Sequence, residues 1–403
     1  MRNLDERARQ AQNRKATLGE DIDLVLYGSK PVQHEYLDEL STLSEPDRNR
    51  MILSGMDIEE KGRSGTFIQK DSSVLHARSK EKNVEVIPIK EALEQYDWVK
   101  EHYWKLIDVD TDKYTARAHL ELHNGYVIRS LPGSKVIYPV QACLYLEKEG
   151  LGQNVHNIVI AEEGSELHVI TGCATASHLR KGLHVGISEF YVKKNAKLSF
   201  TMIHYWAEEM MVRPRSVGRV EEGGLFLSNY ISMRPVSSLQ MYPVAYLEGR
   251  GAVARFYSLL VGSPGSRMDV GSAVHLRASD TRAEIVSRAI TNGGEIIARG
   301  RMVGELPGIK AHLECKGLIL NGGSIDAIPE LEGKADGVEM SHEAAVGKIA
   351  QEEILYLMSR GLSEDEATST IVRGFLNVDI PGLPPQLKAE IDRAVEQSNK
   401  DVL

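Results

Sequence analysis

The chain has 403 residues, of which 42% are hydrophobic and 26% are charged, and its formal net charge is −9. Acidic and basic residues are interspersed without a Lys/Arg block, so we do not expect nucleic acid as a partner. No apolar run is long enough to span a bilayer, and the N-terminal sequence MRNLDERARQAQNRK is too charged for a secretory signal. The three cysteines are an odd number at wide spacings, which argues against a disulfide framework. The sequence therefore predicts a cytoplasmic protein without a membrane segment.

Residues 1–117 are predicted to form a helical and mixed α/β region. The segment DERARQAQNRK predicts a charged helix, and Ser44 followed by Pro46 predicts the N-cap and first turn of another. After Gly65, the segments TFIQKDSSVLHARS and VEVIPI predict short strands. A helix is then expected over EALEQYDWVKEHYWKLI, with Trp98 and Trp104 as packing anchors.

Residues 118–335 show almost no helical periodicity and predict an all-β core. A polar turn followed by an alternating strand recurs at a spacing of about 30 residues that is sometimes halved. The copies are aligned at Leu167, Leu198, Leu225, Val253, Ala283, Ile296 and Ala311. A coiled solenoid with two sheets per turn produces this spacing, so we predict a parallel β-helix. The alternative is a β-sandwich, in which turns recur every ~8–12 residues without a preferred multiple.

Residues 336–403 are predicted to form a C-terminal helical domain. The first helix is expected over SHEAAVGKIAQEEILYLMSR, which puts His342 and Glu343 where strand gives way to helix. The second is expected over GLSEDEATSTIVRGFLNV, with a capping box of Ser363 and Glu366, and a third over PGLPPQLKAEIDRAVEQ. The first two helices carry apolar stripes. They predict either a docking surface for a partner or a cap that protects the last turn of the solenoid.

The sequence contains no complete motif of the common enzyme classes. His342 and Glu343 begin like the zinc protease motif H-E-x-x-H, but Val346 stands where the second histidine belongs. Gly347 and Lys348 resemble the end of a phosphate-binding loop, yet Ile349 replaces the required Ser or Thr. The chain also has no nucleophile elbow and no dinucleotide fingerprint. We therefore do not expect an enzyme.

Cys315 lies on the strand-like run AHLECKGL. Because side chains alternate along a strand, Cys315 shares a face with Leu313, while Glu314 points the other way. Thiolate, imidazole and carboxylate are ligands that transition metals accept, so Cys315, His342 and Glu343 are candidate metal ligands around one Gly-rich turn. Their spacing matches no zinc finger, and a buried cysteine is commonly just a packed residue.

The two other cysteines, Cys143 and Cys173, differ in how well their surroundings suit a functional thiol. Cys173 follows LHVITG near a turn, and either cysteine could simply be a packed thiol, Cys143 in QACLYL more so than Cys173. Downstream, Trp206 and His204 lie in SFTMIHYW, which predicts a core tryptophan with an imidazole on its own face. An apolar lane that contains an imidazole could carry a reactive sulfur species away from water.

The chain resembles the SufB/SufD family of iron–sulfur cluster assembly scaffolds over roughly Gly125 to Phe375. The matching segments are NGYVIRSLPGSKV, IVIAEEGSELHVITGCATAS and the combination of AHLECKGLIL with ADGVEMSHEAAVGKIAQEEILYLMSRGLSEDEATSTIVRGF. The resemblance implies a right-handed parallel β-helix with helical N- and C-terminal regions. It also implies that the C-terminal helices hold an ABC-type ATPase subunit called SufC.

The resemblance also implies roles for single residues at the cluster site. Cys315 matches the SufB cysteine thought to hold the nascent cluster, and Glu343 matches its partner glutamate. His342 coincides with the histidine that SufD contributes from across the dimer. One chain that combines the SufB-like residues with the SufD-like histidine predicts a compact, archaeal-type homodimer.

The resemblance also implies which residues transfer sulfur. Cys173 matches the cysteine that receives sulfur, and Trp206 is identical to the family residue in the lane toward the assembly site. His204 stands where SufB usually has Gln, and Tyr145 and Glu147 stand where SufB usually has Arg and Asn.

We therefore expect a homodimeric scaffold that builds a [4Fe–4S] cluster on Cys315 with His342 and/or Glu343 and transfers it to recipient apo-proteins, in complex with a SufC-like ATPase. The alternative is a SufD-like structural platform that anchors the ATPase without binding a cluster. A β-helical carbohydrate-active enzyme would need carboxylates clustered on one exposed strand face, which the sequence does not favour.

Overall fold

The internal repeat folds into a parallel β-solenoid of about 8 turns with helical ends, which confirms the predicted parallel β-helix. This computed structural model describes residues 2–376. The third C-terminal helix, predicted over PGLPPQLKAEIDRAVEQ, lies outside the described residues, and the domain boundaries after residues 117 and 335 stay predictions. Among the described residues, no helix is long and apolar enough to cross a membrane.

The N-terminal region mixes short helices with three strands. Its helices are α1 (Arg2–Ala11), α2 (Glu45–Leu53), α3 (Ile89–Gln95), α4 (Asp97–Lys100) and α5 (Lys113–Leu120), with 3-10 turns at Leu24–Leu26 and Leu40–Thr42. Its strands are β1 (Gly65–Lys70), β2 (Ser73–Ser79) and β3 (Val84–Pro88). The Ser44 hydroxyl accepts the Asp47 backbone N–H at 3.3 Å, which confirms the predicted cap.

The single helix predicted over EALEQYDWVKEHYWKLI is wrong, because this segment forms α3 and α4 and then an irregular turn. Tyr96 separates the two helices with an extended backbone (φ −127°, ψ 113°). Beyond α4 the chain turns sharply, and Trp104 adopts a positive φ of 54°. The turn lets successive backbone N–H groups reach the buried carboxylate of Glu189, an interaction that local helix propensity does not foresee.

The solenoid strands form two sheets. They are β4 (Tyr126–Ser130), β5 (Val140–Leu146), β6 (Gly152–Ala161), β7 (Glu166–Thr175), β8 (Lys181–Val192), β9 (Lys197–Tyr205), β10 (Glu209–Val212), β11 (Arg215–Val220), β12 (Leu225–Ser232), β13 (Ser238–Met241), β14 (Val244–Leu247), β15 (Val253–Gly262), β16 (Arg267–Leu276), β17 (Arg282–Thr291), β18 (Glu295–Gly304), β19 (Lys310–Ile319), β20 (Ser324–Gly333) and β21 (Glu339–Gly347). Sheet one runs β2-β1-β5-β7-β9-β12-β15-β17-β19-β21. Sheet two runs β10-β13-β16-β14-β11-β8-β6-β4-β3, with β18 on β16 and β20 on β18. The halved repeat at Ile296 is explained, because Ile296 lies on β18 in sheet two.

The solenoid continues further than the sequence pattern indicates. A helix predicted from Ser341 onward is wrong there, because β20 and β21 form a last turn, and the first C-terminal helix, α6 (Gln351–Ser359), begins ten residues later. Alanines in this segment favour a helix locally, but parallel pairing of β21 with β19 decides the structure. The second helix, α7 (Glu364–Leu376), begins with the predicted capping box, in which the Glu366 carboxylate accepts the Ser363 N–H at 2.8 Å.

Apolar side chains fill the space between the sheets, and helices cover parts of the outer faces. The N-terminal helices pack on sheet two, where Ile158, Ile160 and Ile187 are buried beneath them. On sheet one, Val372 and Leu376 of α7 pack against outward side chains of the strands. Helix α7 therefore covers an outer face of the solenoid, while α6 leaves apolar side chains exposed: Leu355, Tyr356 and Met358.

Candidate metal centre

Cys315 points into the interior of the solenoid. Along β19 the side chains alternate between buried and half-buried, and Cys315 shares the buried face with Ala311 and Leu313. The thiol residue is 2% exposed, which confirms the orientation predicted from strand alternation. Of the strands that the structure describes, only β21 follows β19 in sheet one, so the thiol lies one strand from the last described strand of the solenoid.

Strand β21 separates the two other predicted ligands. Its register pairs His342 with Leu313, Glu343 with Glu314, and Ala344 with Cys315. Because paired residues in a sheet point to the same face, His342 continues the inward row and Glu343 continues the outward row. The structure therefore brings His342 to the face of Cys315 and puts Glu343 on the opposite face.

His342 and Glu343 lie on the last strand of sheet one that the structure describes. Among the described residues, β21 has a neighbouring strand on one side only, and both His342 and Glu343 are exposed. The residue that stacks on Cys315 is Ala344, whose side chain is small. On this side, the Cys315 thiol is thus covered by the single strand β21, whose residues there are exposed.

On the outward face, Glu343 joins side chains that the sequence had placed opposite Cys315. Lys316 Nζ lies 3.0 Å from the Glu343 carboxylate and 3.2 Å from the Glu314 carboxylate, and Arg288 also pairs with Glu314. Burial raises the pKa of Glu314, but the charges of Arg288 and Lys316 outweigh it, and the net shift is downward. His312 and Glu314 were not predicted as ligands, since their proximity to Glu343 depends on the register of β19 with β21.

The environment of Cys315 favours the neutral thiol. Burial, with a smaller contribution from the Glu314 charge, raises the pKa of Cys315 to about 11, and Arg288 opposes this only in part. At neutral pH the metal-free protein therefore holds a protonated thiol. A metal ion that binds Cys315 has to displace this proton.

Alkylation of metal-free protein is expected to report this raised pKa. With a pKa of about 11, only about 0.1% of Cys315 is thiolate at pH 8, and this fraction rises about tenfold per pH unit up to pH 10. Burial slows the reaction with iodoacetamide at every pH, so the slope with pH is the informative quantity. Mass spectrometry of the Cys315 peptide measures it, and a rate that levels off below pH 9 would contradict the shift.

The predicted sulfur-transfer residues lie together in the same interior, on and just after strands β7 and β9 of sheet one. Cys173 on β7 pairs in register with His204 on β9, and both side chains are buried. The rings of His204 and Trp206 have centroids 5.2 Å apart, and the Tyr230 hydroxyl lies 2.7 Å from His204 Nδ1. The structure therefore brings together all three residues assigned from the sequence.

Two nitrogen atoms in this group are unusual. Within the described part of the chain, His204 Nε2 and Trp206 Nε1 are buried without a hydrogen-bond partner. A buried unpaired polar group costs about 1–3 kcal/mol and is uncommon in folded proteins. Burial, with a smaller contribution from His184, lowers the pKa of His204 well below its ordinary value, so the imidazole is neutral.

A row of inward polar side chains runs from this group to Cys315. Tyr230 pairs with Ser258, Ser258 with Ser287, and Ser287 with Cys315 on successive strands of sheet one. The Ser258 hydroxyl donates to Ser287 Oγ at 3.1 Å, and an internal cavity lined by Tyr230 and Ser258 lies beside the row. These residues were not identified from the sequence, although each follows its repeated turn at a similar spacing.

The positions that depart from SufB face away from Cys173. Leu144 on β5 pairs with Cys173, so its neighbour Tyr145 points outward, where its hydroxyl donates to Asp47 Oδ1 at 2.6 Å. Glu147 forms an ion pair with Lys70 at 2.6 Å. Both residues therefore belong to a charged cluster under α2. The fold and the geometry together define a parallel β-solenoid protein with a thiol, an imidazole and carboxylates near the last described strand of sheet one.

Comparison with known proteins agrees with this description. The family model for the SUF system FeS cluster assembly, SufBD core domain, matches residues 144–375. An iron–sulfur cluster assembly SufBD family protein of Archaeoglobus fulgidus is 54% identical over 358 residues, which cover 89% of this chain and 96% of the relative. A SufBD family protein of Methanothermobacter thermautotrophicus is 47% identical over 407 residues, or 99% of both chains. The SufB protein of Bacillus subtilis is 30% identical over 391 residues, which cover 93% of this chain and 83% of the relative.

The chain belongs to the SufBD family of iron–sulfur cluster assembly proteins.

Proposed function

We propose that this chain is a scaffold, without enzymatic turnover of its own, on which a [4Fe–4S] cluster is built and from which it passes to apo-proteins. Cys315 and His342 are the proposed ligands, and Glu343 is a third candidate that would have to turn around the edge of β21. The observation that carries the proposal is the shared inward row of Cys315 and His342 at an exposed terminal strand. Thiolate and imidazole are both known ligands of iron–sulfur clusters.

A homodimer would complete the ligand set. One chain offers a single thiol at this end, whereas a cubane cluster is commonly held by about four ligands. A twofold axis at the solenoid end would supply two thiols and two imidazoles. Strand β21 supports this arrangement, because among the described residues no strand pairs with its outer edge, and a second copy can pair with the backbone groups there.

Mixed ligation suits a scaffold that has to release its cluster. Imidazole and carboxylate hold cluster iron less tightly than thiolate, so a recipient with more cysteines can accept the cluster. Only the small side chain of Ala344 on β21 is paired with Cys315 on the side of the last described strand. This thin cover supports release of the cluster at that end of the solenoid.

Sulfur is proposed to enter at Cys173 and to move inside the solenoid toward Cys315. The unpartnered nitrogens of His204 and Trp206 support this role, because a persulfide on Cys173 could hydrogen-bond to them. The row of Tyr230, Ser258 and Ser287 supports the direction of transfer.

A cytoplasmic SufC-like ATPase is the proposed partner of the C-terminal helices. Exposed Leu355 and Tyr356 on α6 support a docking surface, since large exposed apolar side chains in a group often mark interfaces. Helix α7 also contacts the outer side of the site, where the Arg288 guanidinium lies 6.0 Å from the Phe375 ring. A movement of α7 driven by the ATPase could therefore change the end of the solenoid through a shift of population between two arrangements.

The decisive experiment is the isolation of the protein with its ATPase in the absence of oxygen. We expect a brown protein with iron–sulfur absorption and about four iron and four sulfide per dimer after reconstitution. A colourless protein that takes up no iron and sulfide, yet still co-purifies with the ATPase, would contradict the scaffold proposal and favour the structural platform.

A further inference from the structure

The outer face of sheet one carries a group of three metal-ligand side chains near the end of the solenoid. His312 and Glu314 lie on β19, and Glu343 lies beside Glu314 on β21. A ring nitrogen of His312 and one carboxylate oxygen of each glutamate all lie within 4.8 Å of one another. One ion could therefore contact all three residues without a change in the fold.

The donor set suits a divalent first-row metal ion. Imidazole and carboxylate together are typical ligands of Fe²⁺ and Mn²⁺. The Ser341 hydroxyl lies 2.8 Å from His312 Nδ1 and fixes the orientation of the ring. Such a hydrogen bond behind a histidine ligand is the usual outer-shell support of a metal site. Ser341 is held opposite His312 by the same register that aligns the glutamates.

Without metal, a lysine balances the two carboxylates. Lys316 Nζ bridges Glu314 and Glu343, and Arg288 adds a second positive charge beside Glu314. The Lys316 side chain is 31% exposed, so its ammonium group can move into water on a flexible stem. A divalent ion that displaces the Lys316 ammonium group would put two positive charges, instead of one, between the carboxylates of Glu314 and Glu343. The ion would also hold the two carboxylates in one geometry.

A second group of such side chains in the described structure is already committed. The Asp71 carboxylate lies 2.9 Å from His34 Nε2 and accepts the backbone N–H groups of Glu147 and Lys148 at 2.8 and 3.0 Å. Glu147 in turn pairs with Lys70. These contacts explain the group as structural, whereas in the described part of the chain the carboxylates of Glu314 and Glu343 pair with the cationic side chains of Arg288 and Lys316.

We infer that His312, Glu314 and Glu343 form a binding site for Fe²⁺ on the outer face, separate from the inward site of Cys315. The choice of iron rests on the proposed scaffold function, while the site itself rests on the geometry. Glu314 and Cys315 are adjacent in sequence and point to opposite faces of β19. Iron held there lies on the opposite face of β19 from Cys315, next to the terminal strand β21. It could be supplied from there to cluster assembly.

The test is equilibrium dialysis of the full-length protein against Fe²⁺ in oxygen-free buffer, with Mn²⁺ and electron paramagnetic resonance as a second readout. Glu314→Gln and His312→Ala are each expected to weaken Fe²⁺ binding by about tenfold or more, since even outer-shell partners are worth about 10- to 100-fold in affinity. Lys316→Met is expected to tighten it, because the competing ammonium is removed.

Glu284→Gln is the matched control. Glu284 lies on the same outer face one strand earlier and accepts a hydrogen bond from Tyr257 at 2.6 Å, so its loss should leave Fe²⁺ affinity unchanged. Unchanged affinity in both Glu314→Gln and His312→Ala would overturn the inference. A similar loss in Glu284→Gln would also overturn it, because the effect would then reflect surface charge.

Cys315→Ala separates this inference from the proposed function. It should bind Fe²⁺ like the parent while failing to assemble a cluster. Loss of Fe²⁺ binding in Cys315→Ala would show that the ion binds at the inward site and would overturn the outer-face site. Normal outer-face binding in a parent protein that never assembles a cluster would instead contradict the scaffold function alone.

Discussion

Replacement of Cys315 by alanine is expected to reduce the iron and sulfide content of anaerobically reconstituted protein to background. Of the proposed ligands on the inward row, the thiol binds iron most strongly, and in the proposed homodimer the change removes both thiolates. His342→Ala should lower the content less, because a water or Glu343 can replace an imidazole. Iron and sulfide analysis with the visible spectrum measures both effects.

Cys143→Ala is the control for this experiment. Cys143 is also a fully buried cysteine, but it pairs with Gly172 and is packed near Ser54, away from the solenoid end. Its loss should leave the cluster content unchanged. Full iron and sulfide content in Cys315→Ala would end the assignment of the cluster to this site.

Cys173→Ser extends the same experiment to the sulfur route. This variant should fail to gain a cluster when sulfur comes from an enzymatic persulfide donor, but it should respond to free sulfide. Cys315→Ala should respond to neither source. Equal rescue of the two variants would contradict the separate roles of the two cysteines.

Replacement of Glu189 by glutamine is expected to lower the free energy of unfolding by about 3–5 kcal/mol. The Glu189 side chain is fully buried and lies 2.8 Å from His156 Nε2. Its carboxylate also accepts the backbone N–H groups of Trp104 and Lys105, each at 2.7 Å, and of Leu106 at 2.5 Å. Glutamine has the same shape, but its amide N–H groups would face backbone donors and leave them unpaired.

Urea unfolding followed by circular dichroism and tryptophan fluorescence measures this change, since Trp104 lies at the affected turn. The control is Glu221→Gln, which removes a half-exposed ion pair with Lys193 and should cost less than about 1 kcal/mol. Equal shifts of the unfolding midpoint in the two variants would show that the buried carboxylate has no special role in attaching the N-terminal region to the solenoid.

Much of the solenoid could be predicted from the sequence because strand alternation has a period of two. Ala311, Leu313 and Cys315 share the buried face as the pattern indicated. The repeat alignment was correct for Leu167 with Leu198, which pair in the structure. It slipped by one residue at Leu225, since Leu198 pairs with Phe226 instead. A slip of one residue exchanges the two faces of a strand, so imperfect repeats cannot assign faces in every turn.

The helix predicted at His342 shows the limit of local patterns. Ser341 to Gly347 contains two alanines and a weak apolar pattern, and nothing in it separates a helix from an exposed terminal strand. The segment forms a strand because the edge of β19 offers hydrogen-bond partners along its whole length. The residues that join Cys173 to Cys315 were missed for a related reason: Tyr230, Ser258 and Ser287 are far apart in sequence and become neighbours only through register.

The sequence by itself determined the repeating strands, the inward thiol at residue 315 and membership of the SufBD family, because these depend on local alternation and on motifs along the chain. Only the tertiary structure decided that His342 faces Cys315, while Glu343 lies with His312 and Glu314 on the other side. The physical reason is that the hydrogen-bonded register between neighbouring turns, which the length and course of the intervening turn determine, selects the face of every residue on the last strand.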